Sequence, residues 1–185
     1  ISGEENSGKS TFLKLLAGTY SNYSGSITIN NIPFQNYLLQ SIRSKTGILL
    51  YEQDIFECSV YDNISLGRTN ITIENIMEVA KQLKIEDFIS SFPQSFETIL
   101  HPLGQKLPSS LTKKIVLLRA LVNNPALLIL ENPFMGFDED TNTNIKNYLL
   151  NIAKTKTIII SSNDAEFTKK CKVAVLIHNK KVTIK

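Results

Sequence analysis

The stretch ISGEENSGKST, residues 1–11, decides the fold class of this chain. Gly3, Gly8, Lys9 and Ser10 satisfy the pattern G-x-x-x-x-G-K-[ST]. Glycines let successive backbone N–H groups turn inward around an anion, and the N-terminus of a following helix adds its positive end. At such a loop Lys9 would reach the β- and γ-phosphates of a nucleotide, and the Ser10 hydroxyl would hold magnesium. The alternative interpretation is a glycine loop with a purely structural role.

Strands and helices alternate outward from this loop. Ile1 is predicted to end a strand, and Asn30 with Asn31 marks a turn. The apolar patterns predict strands at 25–30, 47–51, 126–130, 157–161, 173–177 and 181–184, the last two as a hairpin, and helices at 11–18, 73–85, 111–122 and 140–153. Alternation of this kind favours an α/β fold with a mainly parallel sheet, here with a helical insertion at roughly 57–122.

The composition indicates a globular protein but does not indicate a particular function. The 185 residues are 42% hydrophobic and 20% charged, which is typical of a globular domain with a sizeable core. The net charge of +3 comes with scattered lysines, so a nucleic-acid partner is not expected. No apolar run approaches the ~20 residues of a membrane helix, and two cysteines are too few for a disulfide framework.

The stretch LLILENPF, residues 127–134, has the form of a buried strand that ends in an acid and then an amide. A carboxylate at Glu131 suits magnesium. The neutral amide of Asn132 can orient a water but cannot accept its proton. This strand therefore raises the question of whether the chain hydrolyses a nucleotide or only binds it.

A series of segments in the same order and spacing resembles the nucleotide-binding domain of ATP-binding cassette (ABC) transporters. The segments are GEENSGKST, GSITINNIPF, IRSKTGILL, IFECSVYDNISLG, FPQSFETIL, GQKLPSS, VLLRALVNNPALLILENPF, GFDED and TIIISSND. The SVYDNI and FPQSFETIL stretches are similar to the exporter type, in which this domain is fused to membrane helices. The resemblance implies a P-loop NTPase (RecA-like) core at about 1–56 and 123–185, helices on both faces of the sheet, and a helical subdomain at about 57–122.

The resemblance also assigns expected roles to individual positions. The nucleotide would contact the phosphate loop, and magnesium would be held by Ser10, Glu131 and a glutamine. That glutamine position falls on Tyr51 in an ungapped comparison, while Gln53 lies two residues later, and both stay open. The expected nucleotide-binding residues are Gly3, Asn6, Ser7, Gly8, Lys9, Ser10 and Thr11.

Several positions depart from the family pattern. Asn132 stands at the general-base position, and Asn163 stands where a histidine usually contacts the terminal phosphate. The signature segment, which would contact a nucleotide on the partner domain, has Pro108, Ser109 and Ser110, and Pro108 offers neither a hydroxyl nor an N–H. A plain structural interpretation of these three is a helix start, with proline in the first turn and serine as the cap.

Asp138 matches the family aspartate that crosses the dimer interface, so a second ABC nucleotide-binding domain is the expected partner. We expect the chain to be part of a longer polypeptide, because the resemblance implies an upstream strand, an adenine-stacking aromatic residue and fused membrane helices. It would lie at the cytoplasmic face of a membrane and bind ATP and Mg²⁺.

Two functions remain open at this point. In the first, the chain couples ATP binding, dimer closure and weak hydrolysis to export; in the second, it is a catalytically degenerate ATP-binding module. A soluble ABC protein acting in DNA repair or translation is disfavoured by the exporter-like segments. A GTPase is disfavoured because HNKK, residues 178–181, lacks the acid that reads guanine.

Overall fold

A computed structural model describes residues 1–51, 53–104, 107–178 and 181–184. Its helices are α1 (Lys9–Leu16), α2 (Leu39–Lys45), α3 (Val60–Ser65), α4 (Ile73–Leu83), α5 (Ser109–Leu121), α6 (Glu139–Ile152) and α7 (Ala165–Thr168). Its strands are β1 (Ser2–Gly3), β2 (Thr28–Ile29), β3 (Ile32–Pro33), β4 (Thr46–Leu49), β5 (Leu127–Glu131), β6 (Thr157–Ser161), β7 (Val175–His178) and β8 (Lys181–Ile184). Short 3₁₀ helices lie at Phe34–Asn36, Glu86–Ser91, Ser95–Glu97 and Pro102–Gly104.

The sheet is mainly parallel, as predicted. β4, β5 and β6 pair in parallel, β1 pairs in parallel with β7, and β8 closes the edge as the antiparallel partner of β7. Ile1 joins the two groups of strands, because its amino group donates to the Ile160 carbonyl at 2.6 Å and its carbonyl accepts from the Ser162 N–H at 2.9 Å. The carboxyl ends of β1, β5 and β6 therefore meet at one edge of the sheet.

The alternation of side chains along β5 determines the direction in which Glu131 points. Leu128 and Leu130 face the larger hydrophobic cluster, whereas Ile129 packs with Leu13 of α1 on the opposite face. Because neighbouring strand residues point to opposite faces, Glu131 shares the face of Ile129 and is directed toward α1. On α1, Ser10 lies three residues before Leu13 and therefore on the same side of the helix.

The segment between β4 and β5 is helical in the residues that the structure describes, apart from an isolated bridge between Ser59 and Ile99. It holds α3, α4 and α5, and α4 begins with a capping box formed by Thr72 and Asn75. The larger hydrophobic cluster runs without a break from this segment to β5 and α6. The division into a core and a helical subdomain stays a prediction.

Some predicted bounds were wrong. The strand at 25–30 shortens to Thr28–Ile29, although Asn30 and Asn31 do form the turn, both with left-handed backbone. The first helix covers Lys9–Leu16 rather than 11–18. The patterns missed α2 and α7 altogether. The turn of the last hairpin falls at 179–180, outside the described residues. No described helix is both long and apolar enough to cross a bilayer.

Candidate functional site

The phosphate loop has the backbone that its glycines predict. Gly3 (φ 154°), Asn6 (φ 58°) and Gly8 (φ 100°) all have positive φ, which favours glycine and asparagine over other residues. A Cβ on Gly3 would lie 2.2 Å from the Ile177 carbonyl oxygen, so β7 leaves no room for a side chain there. The loop leads directly into α1, whose first turn contains no acidic residue. The positive end of the helix therefore faces the loop, and no acidic residue of the helix's own first turn opposes it.

The side chain of Lys9 lies across its own loop. Its ammonium donates to the carbonyl oxygens of Gly3 at 2.8 Å and Glu4 at 2.5 Å and to the Ser7 hydroxyl at 3.4 Å. These bonds hold a cation beside the backbone of the loop. The loop thus combines a charged donor with backbone dipoles, which is the chemistry that binds phosphate.

Ser10 and Glu131 are in direct contact. The Ser10 hydroxyl donates to Glu131 Oε1, and the backbone N–H of Tyr51 donates to Glu131 Oε2 at 2.9 Å. Glu131 is 6% exposed, so its two oxygens are satisfied inside the protein at the end of β5. The carboxylate is therefore fixed next to the first turn of α1.

These residues line one cleft of about 280 Å³. The lining comprises Glu5, Asn6, Lys9, Ser10, Lys14, Tyr51, Glu131 and Asn132. The sequence predicted five of these eight as site residues and left Tyr51 open as the glutamine position, whereas Glu5 and Lys14 were missed as lining residues. The helical period could have found Lys14, which lies one turn after Ser10 on the same side of α1. Glu4 and Glu5 are exposed, although Glu5 also borders the cleft.

Asn132 lies at the edge of the cleft with an exposed side chain. Its N–H donates to the Ser161 carbonyl at 2.9 Å and its carbonyl accepts from the Met135 N–H at 3.0 Å. Its φ of 44° is left-handed, a conformation that asparagine tolerates better than longer side chains. The backbone at this position therefore has its own reason to carry asparagine.

Asn163 reaches the phosphate loop from the loop after β6. Its Oδ1 accepts from the Gly3 N–H at 3.2 Å. The next residue, Asp164, caps α7 through the Phe167 N–H and forms an ion pair with Lys146 at 2.5 Å. That ammonium, followed by the Phe167 N–H, holds the pKa of Asp164 below its usual range. Asp164 thus anchors the loop that carries Asn163.

Gln53 and Tyr51 differ in what their side chains do. The Gln53 amide donates to the Ile48 carbonyl at 3.1 Å and accepts from the Leu50 N–H at 3.3 Å, so it closes the turn after β4. Gln53 lines a second, mainly apolar cleft of about 480 Å³, and Tyr51 lines both clefts. Glu131 and Asn132 also border both, which makes the two clefts neighbours.

The signature segment begins a helix in a way that differs from the prediction. Pro108 occupies the N-cap position rather than the first turn, and α5 starts at Ser109 without a side-chain capping bond. The serine cap was therefore wrong: with proline at the cap position, Ser109 and Ser110 are the first two helical residues. Both are exposed, and Ser109 lines the apolar cleft with Glu131 and Asn132.

Asp138 has a local role in the fold. Its carboxylate caps α6 by accepting from the Thr141 N–H and hydroxyl, each at 2.8 Å. The N–H bond, followed by the hydroxyl bond, holds the pKa of Asp138 below its usual value. Eight of the predicted site residues are not among the described residues that line either cleft: Gly3, Ser7, Gly8, Thr11, Pro108, Ser110, Asp138 and Asn163.

The donor set at Ser10 and Glu131 fits magnesium. A hydroxyl and a carboxylate are hard oxygen ligands, and magnesium in nucleotide sites takes one or two protein ligands together with substrate phosphates. Within the described ranges, no group of three or more histidine, cysteine, aspartate or glutamate side chains could hold a metal by itself. A magnesium ion here would therefore depend on bound phosphates for the rest of its ligands.

Comparisons with known proteins agree with this geometry. A family model described as ABC transporter matches residues 1–135, which is more than half of the chain. A "Probable ABC transporter ATP-binding/permease protein" of Haemophilus influenzae is 35% identical over 179 residues, which cover 97% of this chain and 32% of that protein. The "Uncharacterized ABC transporter ATP-binding protein YknU" of Bacillus subtilis is 34% identical over 158 residues, covering 85% of this chain and 27% of that protein.

A similar fold occurs in a solved structure titled "Structure of a bacterial Atm1-family ABC exporter with ATP bound". The TM-score is 0.88 at 24% identity, over 99% of this chain and 32% of that one. The chain thus spans about a third or less of the length of the relatives and the structure it matches. With the phosphate loop, the Ser10–Glu131 contact and a family model that spans both, the chain belongs to the ABC transporter family.

Proposed function

We propose that this chain is the nucleotide-binding domain of an ABC exporter and binds ATP with Mg²⁺ at the loop of residues 3–11. The observation that carries the proposal is the convergence of Lys9, Ser10 and Glu131 in one cleft at the N-terminus of α1. A cation, a metal-binding hydroxyl and a buried acid in this arrangement match what triphosphate binding requires.

Each group has a separate task in this proposal. The loop N–H groups, including those of Ser7 and Gly8, and the ammonium of Lys9 bind the β- and γ-phosphates. Ser10 and Glu131 hold magnesium, which neutralises charge on the phosphates when bound. Gln53 was predicted as a third metal ligand, and that assignment requires its amide to leave Ile48 and Leu50.

The family supports a proposal for the partner and the location. We propose a second ABC nucleotide-binding domain as partner, with Ser109 and Ser110 of each domain facing the nucleotide on the other. The exposed start of α5 supports this, because the first N–H groups of a helix have no partner within it. The relatives named as ATP-binding/permease proteins support a fused membrane part, which would place this domain at the cytoplasmic face of a membrane.

A second candidate function concerns chemistry rather than binding. Asn132 supplies an amide where hydrolysis needs a base, Asn163 supplies another in place of an imidazole, and Pro108 removes a donor from the signature. These three substitutions favour a domain that binds ATP, closes on its partner and turns over poorly at its own site. In that case binding and assembly, and not hydrolysis, are the contribution of this chain.

A Lys9→Ala variant tests the binding proposal. Mg-ATP at 100 times its dissociation constant stabilises a protein that binds it by about 2.7 kcal/mol, and thermal unfolding measures this as a rise in midpoint. Lys172→Ala is the control, because Lys172 is exposed near the start of β7, at the end of the sheet away from the loop. We expect the midpoint to rise with Mg-ATP in both the natural protein and this control. Lys9→Ala should show no rise, and an undiminished rise would refute binding at this loop.

A further inference from the structure

Lys146 connects two loops of the site, and the proposed function gives it no task. It lies on α6 directly after Ile145, whose side chain belongs to the larger hydrophobic cluster. Its ammonium pairs with Asp164 Oδ2 at 2.5 Å and lies 5.3 Å from the centre of the Phe134 ring, close enough for a cation–ring attraction. Asp164 belongs to the loop after β6 and Phe134 to the loop after β5. One cation thus contacts both loops that leave the carboxyl ends of these strands.

A second set of contacts joins the same two loops. The Phe134 ring packs edge-on against the Phe167 ring, with ring centres 4.9 Å apart and planes at 70°. Phe167 is 4% exposed, and its N–H donates to the other carboxylate oxygen of Asp164 at 2.9 Å. The contacts therefore form a closed circuit, in which Lys146 touches Asp164, Phe167 touches Phe134, and each pair touches the other.

Each of these loops carries one of the amides that stand in place of the expected catalytic groups. Asn132 belongs to the loop after β5, and Asn163 directly precedes Asp164. Asn163 also supports the phosphate loop, because its Oδ1 accepts from the Gly3 N–H at 3.2 Å. Lys146 itself is not among the described residues that line either cleft. Lys146 therefore influences a bound nucleotide through the loops that it holds and not by contact.

From these contacts we propose that Lys146 is a positioning residue that holds Asn163 against Gly3 and so keeps the phosphate loop in its nucleotide-binding conformation. The proposal rests on nucleotide binding at the loop of residues 3–11. Loss of the ammonium removes the ion pair that fixes Asp164 and the attraction to the aromatic ring. The loop after β6 is then held by fewer contacts, and Asn163 leaves Gly3. Nucleotide binding weakens because the nucleotide itself has to order the phosphate loop.

Titration calorimetry with Mg²⁺ and a non-hydrolysable ATP analogue tests this role in Lys146→Met and Lys146→Arg. Methionine keeps an unbranched side chain without the charge, whereas arginine keeps the charge and can pair with Asp164. The link to the nucleotide is the Asn163 hydrogen bond, and a net hydrogen bond corresponds to about twofold to tenfold in affinity. We expect Lys146→Met to bind the analogue weaker by that factor, and Lys146→Arg to bind it as the natural protein does.

A double-mutant cycle separates positioning from a general loss of stability. Asn163→Ala should weaken binding by the same factor, and adding Lys146→Met to it should weaken binding no further, because Lys146 acts through Asn163. Losses that multiply in the double variant would overturn the proposal. So would a Lys146→Met protein whose thermal unfolding midpoint falls while its affinity for the analogue stays unchanged, since an ion pair with a purely structural role behaves in that way.

Lys154→Met is the matched control. Lys154 is exposed just after α6, and its ammonium donates to Asn151 at the C-terminal end of that helix. The control should bind the analogue as the natural protein does, and a loss equal to that of Lys146→Met would contradict the proposal. If the natural protein binds no nucleotide, the proposed function itself fails. If the natural protein binds and Lys146→Met binds equally well, only the positioning role of Lys146 is refuted.

Discussion

The site has two sides that are held in different ways. On the phosphate side, formed by Lys9, Ser10 and Glu131, side chains bond to one another and to the loop. On the water side, formed by Asn132 and Ser109, both side chains are exposed, and Asn132 is fixed through its backbone. The fold therefore holds the proposed phosphate- and metal-binding side chains in place, whereas the described structure shows no side-chain hydrogen bond at Asn132 or Ser109.

The same contrast suggests which side tolerates substitution. Replacing a residue of the phosphate side removes a partner from a buried or half-buried hydrogen bond, and a buried polar atom left unpaired costs about 1–3 kcal/mol. Replacing the Asn132 side chain removes no hydrogen bond that the structure describes at its amide. Departures from the family pattern at Asn132 therefore leave the binding half of the site unaffected.

The largest expected effect comes from restoring a base on the water side. Asn132→Glu should raise steady-state ATP turnover by about 10²–10⁴, the usual contribution of a positioned general base, with the lower end expected because Asn163 and Pro108 stay substituted. Phosphate release from Mg-ATP measures the rate.

Asn132→Gln is the matched control for that change. It has the length of glutamate without the basicity, and either residue meets the left-handed φ of 44°, which costs roughly 1–2 kcal/mol of stability. If the natural protein already turns over at rates typical of the family and Asn132→Glu adds nothing, the degenerate-site hypothesis is wrong. An equal rise in both variants would show that basicity is not the cause.

The next largest effect is expected from a substitution in the phosphate loop. Gly3→Ala should destabilise the protein by about 2–4 kcal/mol, because its methyl group would meet the Ile177 carbonyl oxygen at 2.2 Å and the Ser7 hydroxyl at 2.9 Å. Urea unfolding measures the loss of stability, and nucleotide binding should fall with it as the loop shifts.

Gly25→Ala separates crowding from backbone conformation in that experiment. Gly25 also has positive φ, at 104°, but a Cβ there meets nothing within 4 Å. The free energy of unfolding of Gly25→Ala should fall by only about 1–2 kcal/mol, and its nucleotide binding should be unchanged. Equal losses in the two alanine variants would mean that the close approach of β7 to the loop contributes nothing.

The smallest effect concerns the loop that brings Asn163 to Gly3. Asp164→Asn keeps an N-cap residue for α7 but loses the ion pair with Lys146, which should cost about 0.2–1 kcal/mol at pH 7. The pKa of Asp164 is held below its ordinary value of 3.8, so its ionised form stabilises the fold above that pH. The stabilisation is lost as the pH falls through the lowered pKa, and the two proteins should then converge in stability.

Denaturant unfolding from pH 7 down to pH 3 checks this prediction, with Glu166→Gln as control. Glu166 pairs with Lys169 on the surface, where both side chains are more than two-thirds exposed. Glu166→Gln should therefore leave the free energy of unfolding almost unchanged. A constant difference between Asp164→Asn and the natural protein across the pH range would contradict an effect of charge.

Several elements of the fold follow from the sequence because local patterns dictate them. The pattern of Gly3, Gly8, Lys9 and Ser10 predicts a loop and a helix start, and the apolar runs predict β5, which is largely buried, and β6, which is mostly half-buried. Such features depend on steric limits and on side-chain periods, which act within a few residues.

Other features could not be read from local patterns. α2 carries no buried residue, and the strand predicted at 25–30 forms only over two residues, because pairing partners and burial, rather than propensity, decide weak elements. The capping of α5 by Pro108 instead of a serine depends on where the preceding chain enters the helix. These outcomes are set by contacts between residues far apart in sequence.

The choice between Tyr51 and Gln53 shows the same division most clearly. Local sequence patterns predict the phosphate loop and the parallel sheet, and they place an acid followed by an amide at the end of β5. The tertiary structure alone decided that the Gln53 amide closes the turn after β4 while Tyr51 borders the phosphate cleft. The physical reason is that two residues in one turn compete for the same backbone hydrogen bonds and the same space, and only the assembled strand ends determine which side chain each environment receives.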